Sequence, residues 1–572
     1  MYDKRPSIKI NGLIVTSWDN IIPFITAKTV HSRIVNIECY TGLNEEELQN
    51  QLQKIDHSLF IATKTLFHDE ESLIALTERY MTNDSLFGKL TTLSLKDYFD
   101  EDKINEAKSK IQNNSGTTII YGPGSLLVEE GDVVIYADMP RWEIQQRMRK
   151  SKVEALGIDN SAEPFSFQYK RGYFNDWRIL DKHKRTLYPK VDFWLDTVVD
   201  NEPKLIDKET FYAGMNKAST SPFRVMPFFD TAPWGGQWMK EVCDLDKDAI
   251  NYGWCFDCVP EENSLLLKVD DVEFEMPSVN LVYVKSKELL GEPVESRFGK
   301  EFPIRFDILD TIGGGNLSLQ VHPTTQYVQD NFGLHYTQDE SYYVLDAEEN
   351  SFVYLGFKNN VNKKEMIGHL EAAQLNSNKP FDTDKYVNKI PAKKHNHFLI
   401  PAGTIHCSGA NSVVLEISST PNLFTFKLWD WDRMGLDGKP RPINIDRGKK
   451  VLQWNRDTDY IYNELVDIFT VIDEGDGWKE EKTGLHPNEF IETRRHTFTK
   501  EVKHYTNDSV SVFNLVDGNE VVVFSKTEEF EPFIVHYAET FIVPASVKEY
   551  YIKPHGVSEG KECMTIKAYV RF

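Results

Sequence analysis

The sequence predicts an α/β unit followed by two antiparallel β-barrel units, and three observations carry that expectation. Strands and helices alternate up to about residue 215; short β-rich runs broken by Gly, Pro and Asn fill the remainder; and two segments near the carboxyl end resemble each other. A chain of 572 residues exceeds what one hydrophobic core holds, so three domains are expected, at 1–215, 216–450 and 451–572.

The first unit reads as RIVNIECY, NEEELQNQLQKI and SLFIATKTLF, then EAKSKIQ, TTIIYG and DVVIYADM. Apolar strands alternating with polar helical stretches argue for a largely parallel sheet. From about 220 the texture is that of a β-sandwich, with one helical insertion at KKEMIGHLEAAQL. FLIPAGTIHCSG at 398–409 and FIVPASVKEYYI at 541–552 both set Pro-Ala after an aliphatic strand, as two copies of one barrel would. In the second copy Glu549 stands at the place of His406 and no QxH strand precedes it, so that barrel is expected to lack a metal.

With 34 Phe, 25 Tyr and 11 Trp the chain has ample apolar material for packed cores. Its formal net charge of −23 repels phosphate backbones and anionic membranes, which argues against both as partners. A phosphorylated substrate therefore needs a local basic pocket. No apolar run approaches the roughly 18 residues of a membrane helix, and MYDKRPSIKINGL lacks the apolar core of a signal peptide, so the cytoplasm is expected. Six scattered cysteines read as thiols; the Cys255 and Cys258 pair has no second pair with which to hold zinc.

The chemistry concentrates in the middle of the chain. NLSLQVHPTTQY places Gln320 and His322 two residues apart in a strand, hence on one face. Glu340 opens the next strand, DESYYVLDA, and the Pro-Ala-Gly turn of LIPAGTIHCSG can aim His406 inward. Two imidazoles, a carboxylate and an amide oxygen suit zinc or, with less discrimination, another divalent transition metal, and leave room for substrate oxygens.

Those motifs, with ESYYVLDAEENSFVYLGFK, LIPAGTIHCSGANSVVLEIS and FTFKLWDWDRMGLDGKPRPINI, follow one another as in type I mannose-6-phosphate isomerases. FRVMPFFDTAPWGGQWM at 223–239 and FGKEFPIRFDILD at 298–310 extend the resemblance over residues 221–572 or so. It implies a double-cupin fold and a zinc-dependent aldose–ketose isomerase, interconverting mannose 6-phosphate and fructose 6-phosphate through a cis-enediol. It also implies catalytic roles for Lys427, which replaces the family's Arg, and Arg433, which closes the motif. The chain departs from the family at Gln338 and Asp307, where the family has Lys, and at Tyr252, where it has Glu. Lys does not reproduce the fork of Arg, so a non-catalytic sugar-phosphate-binding regulator is the alternative. His395 and His397 are nearby candidates for a general base, with a solvated loop as the expected reading.

The run TTIIYGPGSLLVEEGDVVIYADMPRWEIQQRMRK loosely resembles P-loop kinases, but no Walker A loop occurs and ECYTGLNEEEL fills its place. A degenerate, supporting α/β domain is therefore expected, with Gly122 and Gly124 as turn residues. The basic cluster KRGYFNDWRILDKHKR at 170–185 reads as a salt-bridged surface, with phosphate or nucleotide binding as the alternative.

Overall fold

The computed structural model describes residues 1–375, 379–421, 423–435, 438, 441–484 and 486–572. Leu436, Asp437, Lys439 and Pro440 of the FTFKLWDWDRMGLDGKPRPINI motif lie outside the described residues.

The first unit is built on a seven-stranded sheet. Five strands run parallel, in the order Leu59–Ala62, Thr118–Gly122, Ile34–Cys39, Val133–Asp138, Phe193–Asp196. Numbered along the chain this order is 2-3-1-4-5, and two antiparallel strands, Lys204–Asp207 and Ile14–Thr16, extend one edge. The central strand IVNIEC is buried at every position, as a parallel strand covered on both faces must be. Asn44, Asp69 and Asp100 each accept a backbone N–H at a helix start, which explains why the polar stretches after the strands begin where they do. Strand Ser7–Ile10 leaves this sheet and pairs in parallel with Ser264–Val269, tying the chain's first residues to its middle.

Two antiparallel sandwiches follow. In the first, a six-stranded sheet runs His397–Ile400, Glu340–Ala347, Ser412–Ser419, Ile304–Asp310, Trp254–Cys258, Phe228–Asp230. It faces a five-stranded sheet of Val387–Pro391, Phe352–Phe357, His406–Ser408, Leu319–Val321 and Phe426–Trp429. The second sandwich repeats the order: Thr540–Val543, Ser511–Asp517, Cys563–Val570, Ile491–Phe498, Trp478–Gly484, Thr470–Gly475 against Phe533–His536, Glu520–Phe524, Glu549–Pro554, Val502–Tyr505. The two similar sequence segments thus occupy matching strands. The helical insertion is Lys363–Leu375, placed between two strands of the first barrel's five-stranded sheet.

Buried ion pairs and stacked rings weld these parts together. Arg224, 3% exposed, bridges Asp257 of the first barrel at 3.3 Å and Glu539 of the second at 2.9 Å. Trp142 of the α/β domain stacks on Phe228 with ring centroids 3.9 Å apart, and Arg149 grips Asp230 beside it. The first barrel's edge strand is covered in this way. All six cysteines are buried free thiols, and no helix among the described residues is long and apolar enough to cross a membrane.

Candidate metal centre

Strand register brings the expected residues together. Gln320 lies directly opposite His406 on one neighbouring strand and opposite Lys427 on the other, so the three share the inward face of the five-stranded sheet. Glu340 begins its strand on the facing sheet, paired with Ile400 and Ser418. Across the barrel, His322 Nε2 is 3.2 Å from Glu340 Oε2 and His406 Nε2 is 2.7 Å from Glu340 Oε1. The Gln320 amide reaches within 3.3 Å of His406 Nε2. His322, Glu340 and His406 form the one group of three His, Cys, Asp or Glu side chains with metal-binding geometry found among the described residues.

The protonation pattern suits a cation. His322 Nδ1 sits 3.2 Å from the Phe424 carbonyl and His406 Nδ1 sits 2.9 Å from the Thr404 carbonyl. Only an N–H satisfies a carbonyl, so both Nδ1 atoms carry the proton and both Nε2 lone pairs face the carboxylate. His322 Nε2 and Glu340 Oε1 make no hydrogen bond among the described residues although both are buried. Bare donors at such distances in a dry site need a positive charge between them. The donor set therefore fits a divalent metal ion.

Further polar groups line the same barrel. Gln338 donates to Glu340 at 3.0 Å and to Glu416 at 3.1 Å, while Arg305 pairs with Asp307 at 2.6 Å. Burial pushes Asp307 up to about 7 and raises Glu416 well above its ordinary value. Glu416, Arg305 and Tyr342 escaped the sequence reading; a lone acid inside the apolar strand SVVLEISS was the available signal. Lys427 is pushed down to about 8 by burial and then by the positive charge of Arg441 and Arg433. Arg433 stands behind it, donating to Asp430 at 2.7 Å and to the Asn316 carbonyl at 2.8 Å.

His395 and His397 lie elsewhere. His397 is fully buried beside Tyr343, not in a solvated loop, and burial pushes it down to about 3. Its strand is covered from the side of residues 466 and 467: Val466 bridges Phe398, and Asp467 accepts the His397 backbone N–H. Tyr343 alternates with the inward-facing Tyr342, so this face points away from the metal centre.

The α/β domain packs directly behind a metal-centre residue. The Phe424 ring, whose backbone carbonyl holds His322, is flanked by Phe87, Tyr173 and Phe174 with centroids 6.0, 6.1 and 6.0 Å away. Leu90 N donates to the Phe332 carbonyl, and Asp84 binds Arg447 at 2.6 Å. In the α/β domain itself Gly124 adopts a positive φ at a helix start, and the Gly124 and Leu126 amides with the Ser125 hydroxyl all donate to Glu38. The chain's own carboxylate thus occupies the amides at the carboxyl end of the parallel strands, where α/β folds hold phosphate.

Fold and site together define an α/β domain followed by two antiparallel β-sandwiches, the first of which holds a candidate cation site. A domain family described as a domain of unknown function (DUF8485) matches residues 17–220. The mannose-6-phosphate isomerase of Streptococcus mutans is 27% identical over 221 residues, or 38% of this chain; the chain spans 64% of that relative's length. The mannose-6-phosphate isomerase ManA of Bacillus subtilis is 23% identical over 236 residues, 41% of this chain and 69% of that protein. The crystal structure of the B. subtilis mannose 6-phosphate isomerase superimposes with a TM-score of 0.49 at 17% identity, covering 61% of this chain and 100% of that one. By these sequence matches the chain carries a region homologous to the mannose-6-phosphate isomerases.

Proposed function

We propose that the protein is a metal-dependent aldose–ketose isomerase that interconverts mannose 6-phosphate and fructose 6-phosphate, or a close pair of sugar phosphates. The observation that carries this reading is the buried His322, Glu340 and His406 cluster, in which backbone carbonyls hold both Nδ1 atoms and both Nε2 atoms face the Glu340 carboxylate. Gln320, His322, Glu340 and His406 would hold the ion, zinc first by donor type. Once bound, it would supply Lewis-acid polarisation of the sugar's carbonyl and hydroxyl oxygens.

The chain's own groups do the rest. Lys427 faces the barrel beside Gln320 and offers an ammonium to the negative charge that develops as a proton moves between C1 and C2. Arg433 stands behind Lys427, fixed by Asp430, and adds to the lowering of the Lys427 pKa that burial and Arg441 mainly produce. Phe424 and Thr404 hold the two imidazoles in orientation. The 2-3-1-4-5 strand order supports a kinase-like descent for the domain at 1–215, and Glu38 on the Gly124 amides supports a role without nucleotide hydrolysis. The first barrel at 216–450 carries the reaction, and the second, at 451–572, supports it.

A coupled assay with mannose 6-phosphate and added zinc tests this, and His322→Ala is expected to remove turnover. Full activity in that variant would take the metal out of the mechanism. One observation favours the regulator reading: Gln338 and Asp307 are tied into the barrel's internal network where the resembled family has lysines. Saturable mannose 6-phosphate binding without isomerisation would decide for it.

A further inference from the structure

Between the α/β domain and the rim of the first barrel lies a solvent-open crevice of about 810 Å³. Arg141, Arg178 and Arg185 line one side, and Tyr283, Lys300 and Tyr336 are also in its wall. Arg141 is neutralised by a buried pair with Asp181. The other three cations are not. Arg178 donates its Nε to the Tyr173 carbonyl at 3.1 Å and lies 4.8 Å over the Tyr173 ring. The Arg185 guanidinium lies 4.3 Å over the Tyr283 ring, and Lys300 donates to the Tyr283 carbonyl at 2.7 Å.

Among the described residues, none of these three pairs with a carboxylate within 4.0 Å, although acids outnumber bases 88 to 65 in the chain. Of the four acids that share the crevice, Asp181 pairs with Arg141, and it and Glu301 also act at longer range on Arg185. Glu262 accepts from Tyr169 at 2.9 Å and from Gln145 at 3.2 Å, Glu301 accepts from Tyr336, and burial pushes Glu261 up to about 7. Two guanidiniums with no carboxylate in direct contact, in a crevice walled by tyrosine rings, form a receptor for an anion carried on a flat or ring-shaped body.

We propose that this crevice binds a phosphorylated small molecule, with the phosphate on Arg178 and Arg185 and the organic part against Tyr283 and Tyr336. The site is separate from the metal centre and does not depend on the isomerase reading. Arg178 and Arg185 belong to the basic cluster that the sequence left open between salt bridges and phosphate binding. The structure divides it, because Lys184 pairs with the buried Asp138 while Arg178 and Arg185 face the crevice.

The test is calorimetric titration of the full chain with inorganic phosphate, glucose 6-phosphate and AMP as probes. Each titration is repeated in His322→Ala and in Arg178→Gln/Arg185→Gln. Saturable binding of at least one organic phosphate is expected, retained in H322A and weakened about tenfold or more in the double variant, as loss of charge-assisted hydrogen bonds requires. Binding of phosphate alone would mark the anion contact as the whole site and overturn the role given to the tyrosines. No saturable binding of any probe, equal affinity in the double variant, or binding lost in H322A would overturn the proposal. Arg185→Gln and Lys300→Gln alter exposed side chains singly, and they keep the test decisive if the double variant does not fold.

Discussion

The two barrels share strand order and register, yet their interiors are opposites. Glu340, Tyr342, Glu416, Asp307 and Arg305 of the first are matched, pairing for pairing, by Ser511, Phe513, Lys567, Arg494 and Glu492 of the second. The Glu340 carboxylate of the candidate site becomes a hydroxyl, and each of the other ionic positions changes sign. The second barrel packs rings at its centre, among them the buried His496 and His504, 4.5 Å apart. Phe513 stacks on Phe541 at 5.0 Å and His504 stacks on Tyr550 at 5.3 Å. Glu549, which aligns with His406 in sequence, is exposed, and the buried pair on the matching strands is His504 opposite Tyr550. One backbone therefore hosts either a cation site or a packed core, and a handful of inward residues decides which.

The largest expected effect breaks that contrast at matched positions. His322→Ala should abolish turnover and remove measurable zinc binding, whereas Ser511→Ala, at the Glu340 position of the second barrel, should leave both unchanged. A zinc titration of the two variants checks this, and a metal affinity that follows Ser511 would reverse the assignment. Next, Arg224→Ala strands Asp257 and Glu539 without their cation between the barrels. It should cost about 3–5 kcal/mol in urea unfolding, the usual penalty for breaking a buried pair. A loss under 1 kcal/mol would mean the barrels are held by other contacts.

A third change sharpens the role of the α/β domain, which backs the first barrel at Phe424. Phe87→Leu should weaken zinc binding about tenfold, as loosening a group that orients a ligand does. The unfolding midpoint should move little, and an unchanged zinc affinity would reduce the contact to simple packing.

A further effect concerns pH. The unfolded imidazole of His397 titrates near 6.5, while burial holds the folded one down to about 3. The unfolded state therefore takes up a proton that the folded state refuses. The contribution is fully present above pH 6.5 and is lost as pH falls toward 3, by up to about 1.4 kcal/mol per unit. His397→Gln should lose stability less steeply than wild type between pH 7 and pH 4, and parallel curves would contradict the shift.

Much of this was legible because it is written locally. The alternation of IVNIEC, TIIYG and VVIYAD with capped helices gave the parallel sheet, and the two-residue spacing of Gln320 and His322 gave a shared face. The repeated Pro-Ala turn marked matching strands of the two barrels. What was hidden depends on contacts between distant segments. Nothing near LEIS says that Glu416 meets Gln338, and nothing in KKHNHF says that residues 466 and 467 will cover His397. Phe87 behind Phe424 and Glu38 on the Gly124 amides are likewise products of packing rather than of pattern.

The central claim is that one cation sits where His322, Glu340 and His406 converge. Anomalous diffraction at the zinc edge from crystals of the zinc-loaded protein tests it most directly. A single strong peak is expected inside the first barrel, bonded to Nε2 of both imidazoles and to the Glu340 carboxylate. An empty first barrel, or a peak inside the second, would contradict the account.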